Sequence, residues 1–113
     1  MRADNELQEI NLTIEEAQKH IEKMEALDRL RSNKDFNLII EQGYFIDQAA
    51  ELVAAKCAPE MSSDEQQKAV DRLILGVGGF QQYLNKLYHL GNQSKRAMSD
   101  YYATRDEIMA ETH

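Results

Sequence analysis

The chain has no tryptophan, a single proline and a single cysteine, and only 7% of its residues are aromatic. With Cys57 alone, no intramolecular disulfide can form, which fits a reducing compartment. With one proline, Pro59, in 113 residues, long stretches are free to remain helical. No run approaches the roughly 18 uninterrupted apolar residues of a membrane span. The opening MRADNELQEINLTIEE holds no apolar core of signal-peptide length, so a cytoplasmic protein is expected. Positive charge is scarce too. Thirteen Lys and Arg face 20 Asp and Glu, for a net charge of −7. That balance opposes the cationic footprint of non-specific nucleic-acid binding. A mean hydropathy of −0.62 is low for a compact globule, and so short a chain buries surface poorly by itself. Protein partners, including further copies of the chain, are therefore expected.

What is present is helical periodicity. Leu7, Ile10, Ile14, Ala17, Ile21 and Met24 recur at alternating spacings of 3 and 4, the seam of a coiled coil. Leu27 and Leu30 follow at 3 and 3, so the seam rotates toward the end of a helix spanning 6–31. A second seam runs Val70, Leu73, Val77, Phe80, Leu84, Leu87, Gly91, Ser94, Met98, Tyr101, Arg105 and Ile108. Ser62 and Glu65 form a capping box at its start, and the long helix is expected over 63–110. Gly91 and Ser94 weaken the middle of this seam. Gly76, Gly78 and Gly79 each cost up to about 1 kcal/mol relative to Ala in a helix. A kink or a closely packed neighbour would account for them, with a break near Gly78 or Gly91.

Between the seams, 33–58 reads as an elbow. Ser32 or Asn33 caps it, with Asp35 in the first turn. Gly43 is placed as a left-handed C′ residue dividing two short helices, and the second of these stops before Pro59. The expected fold is one all-α domain over 1–113: an antiparallel helical hairpin or coiled coil with two short helices at the bend. Whether each seam pairs within the chain or with another copy stays open.

Candidate chemistry is thin. Cys57 lies at a helix C-terminus, whose dipole disfavours a thiolate, and is expected to pack as a small apolar side chain. His20 has Glu16 one turn earlier, but no second pair completes a metal set; His89 and His113 are isolated. Leu75 to Phe80 is neither a phosphate-binding loop nor a dinucleotide fingerprint, and reads as a helix contact. Tyr83, Lys86, Tyr88, His89, Lys95 and Arg96 make the most basic and aromatic segment, which reads as a solvated face. No catalytic, cofactor-binding or metal-binding set is expected, so the chain reads as a non-enzyme. Phe36, Ile40, Tyr44 and Phe45 are large and cluster at the elbow. They are the candidate partner-binding residues, and equally candidates for core.

Three stretches resemble small uncharacterised helical proteins of tailed bacteriophages. They are Arg29 to Phe36, then Ile40-Glu41-Gln42-Gly43-Tyr44-Phe45, then Ala49-Ala50-Glu51-Leu52. Gly79 to Leu84 is also similar. The sequence departs from that pattern at Gln42, where the family places Glu directly before Gly. The resemblance covers about the middle half of the chain and transfers no functional residue. It implies a phage context, in the host cytoplasm or the virion. The expectation is a virion or assembly protein acting through helical contacts, scaffold-like, connector-associated or packaging-accessory. Alternatives are a small-terminase-like nucleic-acid-binding packaging subunit and a phage inhibitor of a host enzyme.

Overall fold

The two seams become two long helices. In the computed structural model, which describes residues 2–111, α1 is Arg2–Arg31 and α4 is Asp64–Glu111. Between them α2 (Lys34–Phe36), a π-helical segment (Asn37–Gln48) and α3 (Ala49–Cys57) follow one another without interruption. No strand occurs among the described residues. The all-α class is as the periodicity indicates, and α4 passes Gly78 and Gly91 with no break.

Local chemistry sets the helix ends. Asp4 lies in the first turn of α1 and Arg29 and Arg31 in its last, each complementing the helix dipole. Asn33 caps the next helix: its Oδ1 accepts from the backbone N–H of Asp35 at 2.9 Å and of Phe36 at 3.0 Å. Ala58, held extended ahead of Pro59, ends α3. The capping box of α4 is one residue later than expected. Ser63 Oγ accepts from the Gln66 N–H, and Gln66 Oε1 accepts from the Ser63 N–H, both at 3.2 Å. Ser62–Glu65 and Ser63–Gln66 both match the capping pattern. The second prevails where Gln67 closes the preceding turn, its Nε2 donating to the carbonyls of Met61 (2.6 Å) and Lys56 (3.0 Å).

Gly43 does not divide two short helices. No glycine among the described residues has a positive φ, and 34–57 is helical throughout. The half-buried residues explain why. They come as Phe36–Asn37, Ile40–Glu41, Gly43 to Phe45 and Gln48–Ala49, a four-residue repeat leading to buried Leu52. In an α-helix that repeat would drift about 40° at each step. Wider π turns hold it on one side. A π stretch of twelve residues is unusual, since most are single-turn bulges. A Cβ at Gly43 would lie 3.0 Å from the Leu38 carbonyl oxygen, five residues earlier. Gly43 thus gives room to a widened turn.

The chain divides into two compact units. The first is Met1–Leu27 with Lys86–His113, and the second is Asp28–Asn85. In the first, α1 and the end of α4 run antiparallel: Met24 lies against Gly91, and Thr13 to His20 share a depression with Leu90 to Tyr101. Ala17, Ile21, Met24, Leu27, Gly91, Ser94 and Ile108 are buried there. Leu27 is 2% exposed, which stabilises by about 1.5–3 kcal/mol relative to leaving it in water. Gly91 is a point of close approach and Ser94 is buried, so the small residues that made the seam look weak lie under the neighbouring helix. In the second unit the 34–57 helix lies antiparallel to the first half of α4. Arg31 Nε meets Glu41 Oε1 at 2.9 Å, Asn37 Nδ2 donates to the Arg31 carbonyl at 2.8 Å, and Lys56 pairs with Asp71.

Candidate interaction surface

Of the four elbow residues singled out from sequence, Phe36, Ile40, Tyr44 and Phe45 all fall on the half-buried stripe. Tyr44 and Phe45 are brought together with Phe80 of α4. Ring centroids are 5.8 Å apart for Tyr44–Phe45, 6.1 Å for Tyr44–Phe80, which meet edge to face, and 5.4 Å for Phe45–Phe80. Such pairs contribute about 0.5–1.5 kcal/mol each beyond area burial. Phe36 and Ile40 lie further toward the N-terminus of the same stripe, outside this aromatic group. The segment Leu75 to Phe80 meets the 34–57 helix through Phe80 and Gly76, but Gly78 and Gly79 make no close approach. A Cβ at Gly78 or Gly79 would meet nothing within 4 Å, and one at Gly76 only the Tyr44 hydroxyl at 3.7 Å.

Other apolar side chains of the same two helices are more open. Leu38 (67% exposed), Ile39, Ile46 and Val53 (58%) stand out from the 34–57 helix, and Leu73 and Leu75 (73%) from α4. Between the two helices runs a groove of about 190 Å³. Phe45, Ala49 and Val53 line one side, and Ile74, Val77, Gly78 and Gln81 the other. None of these is charged. One signal for this surface was in the sequence: Ile46, Ala50, Val53 and Cys57 recur at spacings of 4, 3 and 4, a stripe distinct from the one leading to Leu52.

Cys57 is on that stripe and is exposed, not packed as its residue type suggests. It falls five residues after buried Leu52, about 140° around the helix. His20 is half-buried in the depression with Glu16, Leu90 and Ser94. His89 Nε2 lies 3.0 Å from Gln93 Nε2. His113 lies outside the described residues. Among those residues no group of three or more His, Cys, Asp or Glu is placed to hold a metal ion. Tyr83, Lys86, His89, Lys95 and Arg96 are exposed and Tyr88 half-buried. At the far end of the first unit, Glu6, Glu9, Glu107 and Glu111 surround a shallow depression with Ile10 and Ile108. No helix of the described residues is long and apolar enough to cross a membrane. Comparison with protein-family models, with curated proteins and with solved structures yields no significant match.

Proposed function

We propose that this chain is a non-enzymatic bacteriophage protein of the virion or of its assembly, working in the host cytoplasm or the particle through helix-to-helix contacts with protein partners. The observation that carries this reading is the uncharged apolar groove between the 34–57 helix and α4, together with the exposed apolar side chains of the same unit. Apolar side chains left open beside such a groove favour an interaction site. The resemblance of the elbow to small phage proteins supplies the context. A small-terminase-like reading would need a helix-turn-helix between Ser32 and Cys57, and no turn interrupts 34–57.

The test is genetic and compositional. The gene is deleted from a phage that encodes it, and particle yield is compared with that of the parent. Parent particles and assembly intermediates are examined for the chain by mass spectrometry. The chain is expected in one of them, with yield falling on deletion. Unchanged yield together with absence from every particle fraction would remove the proposal. Retention of DNA at low salt, weakening as salt rises, would favour the packaging-subunit alternative.

A further inference from the structure

Two stripes converge on Leu52, and they need different helices. Phe36, Ile40, Tyr44, Gln48 and Leu52 recur every four residues and are the half-buried and buried set in the wide winding of 37–48. Leu38, Phe45 and Leu52 recur every seven, the repeat of an α-helix packed along one face. Leu38 is 67% exposed, so the wide winding leaves this second stripe broken at its first member. Two features favour the wide winding. At Gly43 a Cβ would lie 3.0 Å from the Leu38 carbonyl oxygen, five residues earlier, the acceptor position of a π turn. Arg31 Nε holds Glu41 Oε1 at 2.9 Å. The far end of the helix is fixed separately, by buried Leu52, by the Lys56–Asp71 pair and by Gln67 on the Lys56 carbonyl.

We infer that 37–48 is a two-register device, rewinding from π to α and turning the start of the 34–57 helix against its anchored end. Four residues per turn is about 90° each and an α-helix about 100°, so rewinding twelve residues turns one end by about 120°. Measured from Leu52 in an α-helix, Phe45 and Leu38 fall within about 20° and 40° of it. Phe36 and Ile40 fall about 160° and 120° away, and leave α4. Glu41 comes within about 20° of Leu52, turned toward apolar surface. A carboxylate is poorly placed there, so Glu41 with Arg31 is the latch of the wide winding. Ser32 and Asn33, the short connection to α1, take up the rotation. The winding thus decides which apolar side chains the surface carries: Leu38 in the π register, Phe36 and Ile40 in the α register.

The experiment reads backbone pairing directly, by through-hydrogen-bond NMR couplings in the full chain. Wild-type amides of 42–48 are expected to pair with the carbonyl five residues back. Gly43→Ala crowds the wide turn and suits an α-helix. It is expected to lose these couplings and gain those to the residue four back. Glu41→Leu removes the latch and is expected to move the pairing the same way; it decides should Gly43→Ala unfold. Thiol labelling in a Cys57→Ser background checks the rotation. Leu38→Cys is expected to react faster than Phe36→Cys in the parent chain, and slower once either register variant is added. Five-residue pairing kept in both variants overturns the inference, as does four-residue pairing in the wild type. A changed pairing with the order of labelling unchanged also overturns it. Unfolding of both variants does so too, since an accessible α register would receive them.

Discussion

The two units use the same long helix to opposite ends. In the first, α4 presents Gly91, Ser94 and Ile108 to α1, and its seam is covered. In the second, Val70, Val77 and Leu84 are buried while Leu73 stands open and Phe80 is partly so. Of the twelve large apolar side chains exposed among the described residues, nine belong to the second unit and three to the first. The 3-and-4 spacing is unbroken across both. What differs is the width of the apolar arc. The first unit has one stripe per helix, which one neighbour satisfies. The second has an additional stripe at Ile46, Ala50 and Val53, and a single antiparallel partner leaves it uncovered.

Truncations measure that contrast, and the largest effect is expected at Leu27. Leu27→Ala removes a fully buried side chain, with a loss of about 2–5 kcal/mol in chemical denaturation. Leu75→Ala, at an exposed position, should change the stability of the isolated chain by no more than about 0.5 kcal/mol. Equal losses at the two sites would erase the distinction between the units.

Glycine replacement sharpens the contrast by reversing its sign along one helix. A Cβ at Gly91 would clash with Met24 Cβ and lie 2.8 Å from its Sδ. The near atom is the root of that side chain, so rotation cannot relieve the clash. Gly91→Ala is expected to destabilise by about 1–3 kcal/mol, more than its gain in helix propensity. Gly79→Ala meets nothing and should stabilise by up to about 1 kcal/mol. Thermal melts of the two variants are expected to shift in opposite directions; shifts of one sign would mean that the seam at Gly91 has slack.

A more local effect is expected at the cap. Asn33→Ala removes two hydrogen bonds and should cost about 1 kcal/mol, with faster amide exchange confined to the first turns after Asn33. Asn33→Ser should restore most of it. Faster exchange along α1 as well would mean that the 34–57 helix and α1 open together.

The long helices were legible because their signal is repeated. Twelve seam positions at 3 and 4 specify α4 even with glycines inside it, Pro59 marks an end through its backbone constraint, and Asn33 marks a start through its capping side chain. Gly43 was misread because local chemistry supports two outcomes. The same glycine can end a helix in the left-handed region or give room to a wide turn, and the choice depends on holding a four-residue stripe toward α4. Cys57 was misjudged for a related reason: residue type favours burial, while its angle from Leu52 places it outward. The aromatic pair at Tyr44 and Phe45 was visible as a cluster, but its meeting with Phe80 depends on a pairing between distant segments that no local pattern encodes.

The approach of Met24 to Gly91 has a consequence for how this protein can vary. The two positions share one allotment of volume. A lineage that gains a side chain at 91 must lose bulk at 24, and the reverse change opens the same freedom. Aligned relatives should show these two columns changing together, while the columns for Gly78 and Gly79 drift without reference to position 24.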